Sequence, residues 1–168
     1  TVLKLGYPRT DILFTNNNLG TDFNLNGLPD DGVIDFTKSK VSSVFDTLCT
    51  QMALGDTLSV FVMTHGETVG NDESVIVLWD GTYYYDYEFA TQINRIPVGI
   101  PINVIMGQCY SGGFIGNLNQ RCSYIATACA GNEVSWEATN IGRSEFYRHW
   151  LTAMNWFNAK TTNQSIDA

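Results

Sequence analysis

The sequence predicts an α/β domain with a largely parallel sheet, and three observations predict it. Three near-continuous apolar runs, Thr57–Thr64 (TLSVFVMT), Ile102–Gly107 (INVIMG) and Ser123–Cys129 (SYIATAC), have the composition of strands buried on both faces. Stretches with helical spacing lie between and around them, which is how parallel strands are connected. The chain of 168 residues is 44% hydrophobic and 15% charged, the make-up of one packed core of single-domain size spanning 1–168.

The elements follow in order. Thr1–Tyr7 reads as the end of a helix closing at Gly6, and Asp11–Thr15 (DILFT) as a short strand. From Asn16 to Asp35 the chain is rich in Asn, Asp and Gly with no apolar period, so a long loop is expected. In Lys38–Met52, Val41, Val44, Phe45, Leu48 and Met52 share one helical stripe that stops near Gly55, so this helix should cover the sheet. After the first apolar strand, Ser74–Trp79 and Thr82–Tyr85 predict a hairpin turning at Asp80–Gly81. Asp86 is the expected cap of a helix over Tyr87–Ile96, ended by Pro97. The second strand should lead through a turn into a short helix from Gly112 to Leu118, and Ser144–Ala159 should form a last amphipathic helix.

Composition excludes some function classes. The formal net charge is −8 and the nine Lys and Arg residues form no cluster, so the counterion-release force behind nucleic-acid binding has no footprint. No apolar run approaches the roughly 20 residues of a membrane span, and the first residues lack the order of a signal peptide, so neither nucleic acid nor membrane is an expected partner. Cys49, Cys109, Cys122 and Cys129 lack zinc-site spacing. A Cys122–Cys129 bridge is conceivable in an exported protein, but both flank an apolar run, where reduced, buried thiols are the commoner outcome.

Reactive side chains converge at strand ends. In a parallel sheet, ligands bind beyond the carboxyl ends of the strands. The first apolar strand runs into His65–Gly66 and the second through Gln108 into Cys109, so neighbouring strands would present an imidazole and a thiol at one edge. An imidazole and a following helix start at Tyr110–Phe114 (YSGGF) favour the thiolate, the nucleophilic form. The Gly66 and Cys109 backbone N–H groups are candidates for an oxyanion hole. Cys49, Cys122 and Cys129 read as core thiols, His149 as a packing or surface histidine, Ser111 as turn support and Tyr83–Tyr85 as hairpin packing. Asp22, Asn24 and Asn26 alternate before Gly27 like half of an EF-hand, with Asp30, Asp31 and Asp35 nearby. Val33 stands where the twelfth-position Glu belongs, so calcium is a candidate ligand only of a non-standard site and no cofactor is required.

Together FVMTHG, IMGQCYSGG and YIATACAGNEVSW, in this order, resemble the caspase-like cysteine peptidases, and within them the legumain-like branch. LGYPRTDILF resembles the family's helix end and second strand, so the family's first strand and most of its first helix have no counterpart here. The resemblance implies a three-layer sandwich, a peptide or protein substrate, a Cys109/His65 dyad and a thioester acyl-enzyme. It also implies that Tyr110, Ser135, Trp136 and Glu137 face the substrate. Tyr110 replaces the acidic residue that follows the legumain nucleophile, Gly107 replaces a metacaspase Asp, and Glu137 replaces the Arg of the caspase Ser-Trp-Arg. A carboxylate beside the pocket would repel Asp and attract Arg or Lys. Family habit with low Lys and abundant Asn and Thr leans towards an exported protein. The alternatives are an inactive binding module of the same fold, and an α/β-hydrolase-type enzyme in which Gly107–Ser111 is a nucleophile elbow served by His149.

Overall fold

The computed structural model describes residues 37–70, 73–138 and 143–164. The described residues divide into two compact units, the first ending at Trp136 and the second beginning at Glu137.

The first unit opens with α1 (Lys38–Gln51), whose stripe buries Phe45 and packs Val41, Leu48, Cys49 and Met52 against the core. Then follow β1 (Leu58–Val62), β2 (Gly66–Val69), β3 (Glu73–Val77), β4 (Tyr83–Tyr85), α2 (Asp86–Arg95) and β5 (Ile102–Met106). A 3-10 turn (Ser111–Phe114), α3 (Ile115–Leu118) and β6 (Tyr124–Thr127) complete it. Strands β1, β5 and β6 form a parallel sheet with β5 in the middle, and β2, β3 and β4 form an antiparallel one. The mixed α/β architecture expected from the apolar runs is therefore present.

Period-two alternation explains the sheet's core. Ile102, Val104 and Met106 of β5 join Val62, Phe45, Phe89 and Ile93 in one cluster, while Ile105 is buried outside it. Phe89 on α2 is the hub, meeting Phe45, Tyr84 and Phe114 edge-on at 6.4, 6.4 and 6.1 Å. Burying such a ring contributes about 2–3 kcal/mol, and the edge-on geometry suits its quadrupole. At the amino end of the sheet, Arg121 donates to the carbonyls of Ile100, Ile96 and Pro97 at 3.2, 3.1 and 3.0 Å, closing the end of α2 onto the turn into β6.

Three local features differ from expectation. Gly66–Val69, to which the sequence pattern assigns no element, forms β2 and pairs with β3, a strand too short and polar to show a pattern. The cap of α2 is Tyr85 and not Asp86, because β4 runs directly into the helix; Glu88 Oε2 accepts the Tyr85 N–H at 3.0 Å, and Asp86 is the first helical residue. The helix after Cys109 is only a 3-10 turn followed by one α turn, too short to develop the dipole expected to favour the thiolate.

In the second unit, β7 (Glu137–Ala138) and β8 (Arg143–Ser144) pair antiparallel ahead of α4 (Glu145–Gln164). No helix among the described residues is long and apolar enough to cross a membrane.

Candidate active site

The carboxyl ends of β1 and β5 lie side by side. Their register sets Val62 against Met106, and the Gly107 N–H donates to the Val62 carbonyl at 2.8 Å, extending the ladder to the edge where both chains turn. After β1 the chain bends into β2, and β3 holds the bend: the Thr64 hydroxyl donates to the Val77 carbonyl at 3.0 Å and the Val77 N–H to the His65 carbonyl at 2.9 Å. The backbone of His65 is thus pinned while its side chain is exposed.

Gly66 brings that bend onto Cys109. A methyl group on Gly66 would sit 2.1 Å from the Cys109 carbonyl oxygen and 2.8 Å from Gln108 Cγ, so only a residue without Cβ admits this approach. Because His65 bonds Val77, the next pair, Gly66 and Ile76, is a non-hydrogen-bonded one in the antiparallel ladder. The Gly66 N–H therefore points away from β3 and is not used by that ladder.

Cys109 is partly buried. Its sulfur accepts the Ser135 N–H at 3.3 Å and its thiol donates to the Ser135 carbonyl at 3.6 Å, so the backbone of one residue brackets the thiol. No hydrogen bond from the His65 imidazole joins it among the described residues; in substrate-free enzymes such contacts are often open and tighten on binding. Tyr110, next to Cys109, has φ 57° and ψ 18°, a left-handed conformation unusual for a bulky residue. Its N–H donates to the Glu133 carbonyl at 2.8 Å, which helps to hold that conformation.

Ser111 is fully buried and accepts the Ala128 N–H at 3.1 Å, so it supports the turn. The glycines beyond it permit close packing: a Cβ on Gly112 would stand 2.7 Å from the Gly131 nitrogen, and one on Gly113 1.9 Å from Ser74 Oγ.

Of the residues expected at the substrate, Tyr110 and Ser135 stand beside Cys109, and Trp136, 76% exposed, follows Ser135. Glu137 opens β7 in the other unit, so its expected place beside the pocket lies outside the described geometry. His149 lies on α4 in that unit, exposed, with Nε2 2.9 Å from Arg148 Nη2 and 3.4 Å from the Glu145 carboxylate. Asp22, Asn24 and Asn26 fall outside the described residues. Among the described residues no group of three or more His, Cys, Asp or Glu gathers to hold a metal.

Cys129 corrects the expectation of a core thiol. It stands at the carboxyl end of β6, its sulfur 3.2 Å from the Glu133 carbonyl and 3.6 Å from both the Gln108 carbonyl and Ser111 Oγ. Ending an apolar run made it look buried, and nothing local shows that the following turn folds back over Cys109. Cys122, packed against the core as expected, lies at the other end of β6, and burial pushes its thiol pKa up. All four cysteines are free. Cys122 and Cys129 lie beyond opposite ends of the four-residue strand β6, too far apart for a bridge.

No family model matches the chain, and no curated protein does either. Among solved structures, a Geobacter sulfurreducens protein, GSU0716, is similar in fold over 61% of this chain and 57% of its own length, with a TM-score of 0.49 and 14% identity. The alignment thus spans little more than half of that protein.

Proposed function

We propose that this chain carries the catalytic core of a caspase-like cysteine endopeptidase, with Cys109 as nucleophile and His65 as its acid–base partner. The observation that carries this is the contact of Gly66 with Cys109, which places a strand-end His-Gly against a strand-end Cys on neighbouring parallel strands. The Cys109 sulfur attacks the scissile carbonyl, and the developing oxyanion takes hydrogen bonds from the Gly66 N–H, free of the β2–β3 ladder, and the Cys109 N–H. His65 protonates the leaving amine, and water then hydrolyses the thioester with His65 as base. Pinned backbone on both sides of the site keeps the reacting groups oriented, which is where much of such a rate enhancement originates.

The test is hydrolysis of a fluorogenic peptide library by wild type, Cys109→Ala and His65→Ala. Both variants should lose on the order of 10³-fold or more of kcat/KM, with melting temperatures within about 2 °C of wild type, and an electrophilic peptide probe should label Cys109. Labelling of Cys49 in preference, or full activity in His65→Ala, overturns the assignment. Activity lost in His149→Ala instead would favour the α/β-hydrolase mechanism, and a folded wild type that cleaves nothing would favour a binding module. For specificity we propose cleavage after Arg or Lys, on the ground that the Ser135-Trp136-Glu137 motif carries a carboxylate where the caspase motif carries a guanidinium. An unchanged preference in Glu137→Gln, or efficient cleavage after Asp by wild type, overturns that part.

A further inference from the structure

We propose that Cys129 is a resolving thiol for Cys109, so that oxidation of the site by a hydroperoxide ends in a reversible Cys109–Cys129 disulfide. The proposal rests on the peptidase assignment only in what the bridge would switch off; the bridge itself requires the two thiols and their geometry.

Strands β5 and β6 are parallel neighbours with Met106 opposite Thr127, and carrying that register two residues further sets Gln108 opposite Cys129. The Ala128 N–H donates to the Met106 carbonyl at 2.9 Å, so the register does continue past the strands. The Cys129 sulfur is 3.6 Å from the Gln108 carbonyl oxygen, which belongs to the same peptide unit as the Cys109 nitrogen. Peptide dimensions then put that sulfur no more than about 6–7 Å from the Cys109 Cα. Cys109 is one residue past that paired position and so a diagonal neighbour of Cys129, and a disulfide between them needs their Cα atoms about 4.4–6.8 Å apart.

The same short turn touches both sulfurs. Glu133 accepts from Cys129 and Ser135 brackets Cys109. Thiol hydrogen bonds are weak, so little holds either side chain in its present rotamer. Both thiols are partly exposed, within reach of a small oxidant. The remaining two are elsewhere: Cys49 on α1, and Cys122 at the amino end of β6.

The chemistry balances with hydrogen peroxide as the named oxidant. The Cys109 thiolate attacks one peroxide oxygen; the S–O bond forms, the O–O bond breaks, and hydroxide leaves and is protonated to water. The Cys129 sulfur then attacks the Cys109 sulfenic sulfur. The S–S bond forms, the S–O bond breaks, and the departing hydroxide takes the Cys129 proton as a second water. Two thiols have lost two electrons and one peroxide has gained them. Without Cys129 the sulfenic acid would be open to further, irreversible oxidation.

The experiment treats the full chain with one to a few equivalents of hydrogen peroxide, blocks free thiols, and maps linkages by mass spectrometry before and after dithiothreitol. The expected result is a loss of about 2 Da and a Cys109–Cys129 linked peptide, both reversed by dithiothreitol. Cys129→Ser should give no link and instead gain about 32 Da at Cys109 as sulfinic acid, which dithiothreitol does not remove. Wild type that goes to sulfinic acid with no link, or that links Cys49 or Cys122, overturns the proposal. The linkage map of wild type decides the matter even if the variant folds poorly. Because the readout is mass, it stands or falls apart from peptidase activity; where activity is present, dithiothreitol should raise that of peroxide-treated wild type at least tenfold and leave that of peroxide-treated Cys129→Ser unchanged.

Discussion

The two ends of the parallel sheet are built from the same three strands and differ in almost every other respect. At the amino end, the Arg121 guanidinium satisfies three carbonyls, Leu58 N–H bonds the Pro101 carbonyl, and Ser123 N–H bonds the Ile102 carbonyl. Ile96, Ile100, Ile102 and Leu118 seal that end from solvent. At the carboxyl end Tyr110 is held in a left-handed conformation, and His65 and Trp136 are exposed. There too, the buried amide of Gln108 and hydroxyl of Ser74 have no hydrogen-bond partner among the described residues, whereas at the amino end the corresponding group is Arg121 Nε. Each such group costs about 1–3 kcal/mol, and the strained backbone about as much. One end secures the fold; the other spends stability to hold reactive groups in place.

Gly66→Ala gives the largest effect and sharpens the contrast. The new methyl has no room against the Cys109 carbonyl, so β2 and the Cys109 turn must move apart. The expected outcome is a loss of about 1–3 kcal/mol in urea unfolding together with a fall of at least about 100-fold in kcat/KM, since a displacement near 1 Å would disorient the proposed dyad. Lost stability with full activity would mean that the Gly66 contact does not align the site.

Arg121→Ala should cost a similar amount, about 2–3 kcal/mol, by leaving buried carbonyls unsatisfied. Activity per folded molecule should be unchanged, as measured by active-site titration alongside kcat. If Arg121→Ala lowers kcat as Gly66→Ala does, the two ends are coupled and the division of labour fails.

The smallest effect is one of pH. Tyr84, buried in the core beside Phe89, has its phenol pushed up to about 12 by desolvation and by the nearby Glu88 carboxylate, with Gln92 and Arg95 pulling the other way. The folded state keeps the proton where the unfolded chain, near pH 10, gives it up. Stability from this group is therefore full below about pH 10 and is lost as pH rises towards 12. Tyr84→Phe should flatten the fall in unfolding free energy over that range; an identical slope in both proteins would place the titration elsewhere.

Much of this was legible in local pattern. The stripe in Lys38–Met52, the three apolar strands and the hairpin at Asp80–Gly81 predicted α1, β1, β5, β6 and the β3–β4 pair, because strand and helix periods decide which face is apolar and burial then rewards that choice. Strand ends bearing His-Gly and Gln-Cys marked the edge of interest, since parallel strands aim their carboxyl ends the same way. What no window of sequence contained was the packing between segments. The approach of Gly66 to Cys109, the Ser135 backbone over the thiol and the placing of Cys129 beside the Gln108 carbonyl each join residues far apart in the chain. Strand β2 and the Tyr85 cap belong to the same class, as each depends on what β3 and β4 do nearby. Periodicity reports only how a segment meets a generic apolar surface, whereas these contacts depend on register and on the absence of a single Cβ, which are decided when the sheets come together.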